Sequence, residues 1–160
     1  MFIIFINDLV DSCNNASELF LYADDAKLFG HITRKSAADL LRKDLLDIQL
    51  WIDKWLLKFN ASKCKSLTVS GCKSTIVTNY SILTAAGRQD LERVNNIKDV
   101  GVIIDEKLCF RDHINEKVNK AYMMLGIIKR NFKFLEKEAF KNLYKAMVRS
   151  HLEYAQSSWS

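Results

Sequence analysis

The chain reads as an α+β protein whose strands lie early and whose last part is helical. Three observations predict this. Short apolar runs bounded by turn residues recur between residues 19 and 104. A single long stretch at helical spacing, Leu41 to Phe59, interrupts them. From Asp112 onward the apolar residues keep helical spacing to near the last residue. The predicted division is residues 1–106 for the mixed part and 107–160 for the helical part.

Phe2, Phe5, Ile6 and Leu9 have helical spacing, and polar residues from Asp11 to Ser17 break it, so a short buried helix and a loop are expected. Leu19-Phe20-Leu21-Tyr22 and Ala26-Lys27-Leu28-Phe29 have the residue types of two strands. A β-hairpin results, with Ala23-Asp24-Asp25 at or beside its turn and Gly30 at its end. Thr33 or Ser36 is the expected N-cap of the long helix. Its stripe is Leu41, Leu45, Ile48, Ile52, Trp55 and Phe59, widened by Trp51 and Leu56, and Asn60-Ala61-Ser62 ends it.

Residues 66–70 alternate as a strand does, and Thr75–Thr78 and Tyr80–Leu83 are two further short candidates. Gly87–Asp90 reads as a turn. Val94 and the run Val100–Ile104 close the β part, and Gly101 within that run suggests a bulge or a close backbone approach. The later helices carry the stripes Ile114, Val118, Ala121, Leu125, Ile128, Phe132 and Phe140, Leu143, Tyr144, Met147, His151.

At 49% hydrophobic and 27% charged, the 160 residues suit one folded chain and argue against disorder. Four scattered cysteines without a Cys-x-x-Cys pair, and three distant histidines, give no zinc-ligand spacing. Free or buried thiols in a reducing compartment fit better. The apolar start at Met1–Ile6 lacks a basic flank and a cleavage-like site, and no run approaches a membrane span. The expectation is an intracellular protein, nuclear or cytoplasmic, with no membrane partner.

Charge is unevenly placed. Residues 1–60 carry 7 basic and 9 acidic side chains, residues 61–106 carry 6 and 5, and residues 107–160 carry 11 and 5. The acidic centre is early and the basic surface late. Lys117, Lys120, Lys129 and Arg130 lie off the apolar stripe, where they suit a phosphate backbone or simply a solvated helix face.

Asp24 and Asp25 are the pair with chemical content. Two adjacent carboxylates repel one another when both are ionised, unless a cation neutralises them. A hard divalent ion such as Mg2+ does this with oxygen ligands and retained waters. The pair therefore reads as a platform for metal-assisted phosphoryl transfer. Taken alone, the commoner reading is an acidic surface turn, because Asp favours turns for local hydrogen-bonding reasons.

The order of several segments adds a further argument. Phe5-Ile6-Asn7-Asp8-Leu9, Tyr22-Ala23-Asp24-Asp25, Trp55-Leu56-Leu57-Lys58-Phe59-Asn60 with Lys63-Cys64, Val100-Gly101-Val102-Ile103-Ile104-Asp105 and His113-Ile114 follow one another. In that order they resemble the reverse transcriptase of non-long-terminal-repeat retrotransposons of the jockey and CR1-like kind. Leu152-Glu153-Tyr154-Ala155 with Trp159 is also similar to the region after that polymerase core.

The resemblance implies a partial polymerase palm, an antiparallel sheet with packed helices, followed by a thumb-like helical segment. It makes Asp24 a metal-binding carboxylate and Asp25 its supporting neighbour. Tyr22 falls near the primer end, and Lys63 near the phosphates of the incoming nucleotide. Gly101 falls in the hairpin that grips the primer, and Lys117, Lys120, Lys129 and Arg130 in the part that holds template and primer. The implied partners are an RNA template, a DNA primer and a deoxynucleoside triphosphate, with Mg2+ as the cofactor. In that family another metal-binding aspartate comes from an earlier strand that is not in this sequence. The expectation is a fragment that does not polymerise alone and binds Mg2+ weakly or not at all.

Simpler roles stand beside these. Lys63 also reads as a surface lysine at a helix–strand junction, with Lys65 adjacent. Trp51 and Trp55 read as core residues, and His113 as a capping or packing residue. Two other functions compete: a non-enzymatic nucleic-acid-binding remnant using the basic helices, and a decayed, partly folded piece with an open sheet edge.

Overall fold

The computed structural model describes residues 6–13, 17–57, 60–71, 78–84 and 87–159. Phe2 and Phe5, Asn14–Ala16, Lys58 and Phe59, and most of the strand expected at Thr75–Thr78 lie outside them. The chain forms two units, residues 1–66 with 72–94 and residues 67–71 with 95–160. The expected boundary at 106 therefore moves toward the N-terminus. Side chains at the start of the helix after residue 110 bond the preceding hairpin, and the two fall in one unit.

In the first unit a 3-10 turn, Asn7–Ser12, precedes the hairpin of β1 (Ser17–Tyr22) and β2 (Asp25–Gly30). Only part of the expected first helix is therefore described, and it is 3-10 rather than α. The hairpin is antiparallel, with Leu19 opposite Leu28 and Leu21 opposite Ala26 on one face. Leu19, Leu21 and Leu28 pack with Ile6, Leu9 and Ile48.

Ile48 comes from α1 (Lys35–Lys54), whose stripe also brings Trp51 and Ile52 to this core. Burying an Ile of this kind stabilises by roughly 1.5–3 kcal/mol. Two polar side chains of α1 are buried as well, Asp44 and Gln49. Ser17 Oγ donates to the Asp44 carboxylate, fixing the start of β1 to the helix. The Gln49 amide receives the Leu83 N–H at 2.8 Å and donates to the Leu83 carbonyl. It thereby takes the place of a neighbouring strand.

Both ends of α1 differ from expectation. The N-cap is Arg34, in extended conformation and with no side-chain cap, so neither Thr33 nor Ser36 serves. At the other end Leu57 N–H bonds the Ile52 carbonyl at 3.0 Å and Leu56 N–H the Asp53 carbonyl at 3.1 Å. This is a Schellman closure, with Leu56 at φ 54° where glycine is usual. It ends the helix at Lys54, short of the expected Asn60, and puts Trp55 and Leu56 outside it.

Four more short strands follow, and all but Leu67, the last residue of the first of them, belong to this unit. β3 (Lys65–Leu67) pairs with β6 (Glu92–Val94), and β4 (Ser81–Thr84) pairs antiparallel with β5 (Gly87–Asp90). Gly87–Asp90 is thus a strand and not the expected turn, because Ser81 finds Asp90 and Thr84 finds Gly87 across the pair. The expected strand at 66–70 shrinks to three residues. Among the described residues the strands form two-stranded pairs and no continuous sheet.

The second unit holds the hairpin of β7 (Asn96–Asp99) and β8 (Val102–Asp105), then α2 (Arg111–Asn131) and α3 (Lys137–Leu143). A π-helical stretch, Tyr144–Arg149, extends α3 into α4 (Ser150–Leu152), and α5 (Gln156–Trp159) follows. Ala121 and Ile128 on α2 pack with Val148, Leu143, Met147 and Leu152. The buried face of α2 is His113, Lys117, Ala121 and Ile128. It is turned from the expected stripe, leaving Ile114 and Phe132 exposed. No helix of the described residues is long and apolar enough to cross a membrane.

Candidate functional site

The first group of candidate residues stands on the β1–β2 hairpin. Register pairs Tyr22 with Asp25, so the connection has two residues, Ala23 and Asp24. Of these only Ala23 has a positive φ, 54°, the pattern of a II′ turn in which glycine normally occupies the first place. An alanine there holds backbone strain, of a kind that persists where surrounding structure over-determines it.

Alternation along a strand fixes where the side chains face. Leu19, Leu21 and Leu28 face the core, so Phe20, Tyr22 and the cross-strand Asp25 and Lys27 face away from it. Asp24 and Asp25 are both exposed, and neither carboxylate makes a hydrogen bond or ion pair among the described residues. The two carboxylates thus share a hairpin tip, Asp25 lying on the face opposite α1, and both are open to a cation.

That donor set is small. Among the described residues no third His, Cys, Asp or Glu joins Asp24 and Asp25 in a group able to hold a metal. Mg2+ asks for near-octahedral oxygen coordination and dehydrates reluctantly. Two adjacent carboxylates by themselves do not make such a shell. Lys63 is exposed in the turn before β3, its backbone N–H bonded to the Asn60 carbonyl at 2.9 Å. Its ammonium has no partner among the described residues. Lys65, the alternative, is occupied by Glu92 at 3.4 Å.

The second group surrounds the β7–β8 turn, Val100-Gly101. Gly101 does not interrupt a strand as expected but forms the tip, with Val100 at φ 43° and Gly101 at φ 79°. The expected close approach is present, because a Cβ on Gly101 would stand 2.9 Å from the Tyr154 hydroxyl. That hydroxyl donates to the Val100 carbonyl at 2.7 Å. Lys117 Nζ donates to the Gly101 carbonyl at 3.1 Å and sits 4.1 Å from the centre of the Tyr154 ring.

One turn earlier on α2, His113 Nδ1 accepts the Ile103 N–H at 3.3 Å. Its role is packing, and its ring lies 6.3 Å from that of Trp159. Nδ1 is an acceptor, so the imidazole is neutral with its proton on Nε2. Burial lowers the His113 pKa first, and the Lys117 cation lowers it further. On the flank Glu116 accepts from Lys98 at 2.9 Å and pairs with Lys120 at 3.0 Å. Hydrogen bonds from Lys98 and Lys120 hold its carboxyl down at about 2.

The four cations read from the sequence as one nucleic-acid set therefore separate. Lys117 is only 7% exposed, and its ammonium is committed inside the unit. This corrects the expectation that Lys117 lies off the buried stripe of its helix. Lys120 is half-buried and paired with Glu116. Lys129 and Arg130 are exposed at the end of α2 without ion pairs among the described residues. Lys133, Lys137 and Lys145, which the sequence reading did not single out, are exposed and unpaired in the same way. Tyr154 has no local signal in the sequence for this contact, because it lies 54 residues from Val100.

No family model matches the chain, and no solved structure matches it. Among curated proteins it is similar to the RNA-directed DNA polymerase from mobile element jockey of Drosophila funebris. The two are 30% identical over 146 residues, 84% of this chain and 14% of that protein. Distant homology thus links this chain to the RNA-directed DNA polymerase of a mobile element.

Proposed function

We propose that this chain is a piece of a reverse transcriptase, comprising part of the palm and the adjoining helical segment. The observation that carries the reading is the β1–β2 hairpin. Its two-residue turn leaves Asp24 at the tip and Asp25 across from Tyr22 on the face opposite α1, both carboxylates exposed and without a partner among the described residues. Homology to the jockey-element polymerase over 84% of the chain supports the same reading. In the complete polymerase these carboxylates would be two of the oxygen ligands for Mg2+. That ion supplies charge neutralisation at the reacting phosphate.

The chain's own contribution is to place the two carboxylates at and beside a strained turn, with Asp25 on the face away from the core. Lys63 is free to meet a phosphate of a deoxynucleoside triphosphate. Lys129 and Arg130 at the end of α2, with Lys133 after it and Lys137 at the start of α3, supply exposed cations for the backbone of an RNA template or DNA primer. Gly101 lies at the tip of a second hairpin, which the family resemblance assigns to gripping the primer. With two carboxylates and no third ligand in a group with them among the described residues, the chain alone is inactive and binds Mg2+ weakly.

Mn2+ titration followed by NMR tests this, since the paramagnetic ion broadens amide signals close to it. Signals of residues 22–26 broaden first in the wild type and stay sharp in Asp24→Asn/Asp25→Asn. Broadening spread evenly over the acidic residues overturns the metal reading. Incubation with a primed RNA template, nucleotides and Mg2+ gives no extension. Extension abolished by Asp24→Ala overturns the claim that the chain alone is inactive.

A further inference from the structure

We infer that Lys117 and Tyr154 are positioning residues that fix the Val100-Gly101 turn, and that Lys117 is not a contact to nucleic acid. The inference rests on the proposed function only in assigning that turn to the primer–template duplex. Its structural content stands on four observations. Val100, a β-branched residue, has φ 43°, a conformation that such side chains avoid. Something outside the turn must hold it there.

Two side chains do so from two different elements. Tyr154, in the turn before α5, donates its hydroxyl to the Val100 carbonyl at 2.7 Å. Lys117, on α2, donates to the Gly101 carbonyl at 3.1 Å. The two carbonyls of the turn are therefore capped in succession, and neither peptide can flip without losing its donor.

The two donors also hold each other. Lys117 Nζ is 4.1 Å from the centre of the Tyr154 ring, within range of a cation–π attraction. With Lys117 nearly buried, that attraction is poorly screened. Gly101 completes the arrangement, because any side chain there would meet the Tyr154 hydroxyl at 2.9 Å and its ring at 3.3 Å. The glycine is required twice, for its φ of 79° and for this approach.

The two roles for Lys117 make different predictions about salt. A phosphate contact contributes about one to the slope of log affinity against log salt concentration. A positioning residue changes affinity and leaves that slope alone.

The test uses the full chain with Lys117→Met and Tyr154→Phe, each of which keeps most of the packing. Hydrogen exchange of the 96–105 segment is measured together with binding of a fluorescent RNA–DNA primer–template over a range of salt. Exchange in the segment quickens about fivefold or more in each variant. In the double variant it quickens by less than the product of the two, because the partners act as one unit. Duplex affinity falls several-fold with an unchanged salt slope.

Unchanged exchange in both variants overturns the clamp. A salt slope reduced by about one in Lys117→Met also overturns it, and makes Lys117 a phosphate ligand. If the wild-type chain does not bind the duplex, the nucleic-acid assignment of the turn falls, and the exchange result alone supports or overturns the clamp.

Discussion

Removing the carboxylate of Asp105 tests how the second unit joins its hairpin to α2. Asp105 ends β8, and its side chain collects the backbone of the loop that follows. Oδ1 accepts from Lys107 N–H at 3.0 Å and Cys109 N–H at 3.2 Å, and Oδ2 accepts from Phe110 N–H at 2.7 Å. The loop needs this, because Leu108 and Phe110 both sit at φ 52°. Phe110 is also the N-cap of α2 and offers no side-chain cap of its own.

At roughly 1 kcal/mol net for each backbone donor, Asp105→Ala costs about 3 kcal/mol, less what water recovers in an accessible loop. We expect about 2–3 kcal/mol. Asp105→Asn keeps one carbonyl oxygen and turns an N–H2 toward the Phe110 N–H, costing roughly 1–2 kcal/mol. Urea titration read by pulsed hydrogen exchange of peptides within residues 96–131 isolates this unit. If Ala and Asn variants both lie within about 0.5 kcal/mol of wild type, the carboxylate does not hold the loop.

Acid provides a second view of the same group. Burial pushes the Asp105 pKa up, but hydrogen bonds from Cys109, Phe110 and Lys107 outweigh it and bring the carboxyl below its ordinary value. Its contribution is present above the unfolded value, about 3.9, and is lost as pH falls through the lower folded value.

Two further perturbations are informative. His113 is held neutral by burial and by Lys117, against the opposing pull of the Tyr154 carbonyl and Glu116, with Lys98 adding to the lowering. The unfolded chain takes up that proton below about pH 6.5, so stability declines as pH falls from there, by up to ~1.4 kcal/mol per pH unit. Urea midpoints at pH 7.5 and 5.5 should differ in wild type and converge in His113→Phe; equal differences in both proteins refute the role given to His113. Ala23→Gly relieves the left-handed alanine at the cost of a more mobile unfolded chain, for a net gain of about 0.5–1 kcal/mol. Slower hydrogen exchange in β1 checks it, and faster exchange shows that Ala23 is unstrained.

The sequence by itself determined the elements whose signal is local. Tyr22-Ala23-Asp24-Asp25 between two apolar runs sufficed for the hairpin and its turn, because a two-residue connection and strand alternation are set by neighbours. The spacing of Leu41, Leu45, Ile48 and Ile52 sufficed for α1. Its end did not follow, because Leu56 takes a left-handed conformation that side-chain type argues against.

Only the tertiary structure decided the polar interior. Gln49 reads as a surface residue of a helix until Leu83 is brought beside it. Lys117 reads as a phosphate-facing cation until the Val100-Gly101 turn and the Tyr154 ring surround its ammonium. A buried polar group is stable only with partners in place, and these partners lie 16 to 37 residues away in the chain. Periodicity reports which face of a helix is apolar, but which polar residues share that face depends on donors and acceptors that folding delivers.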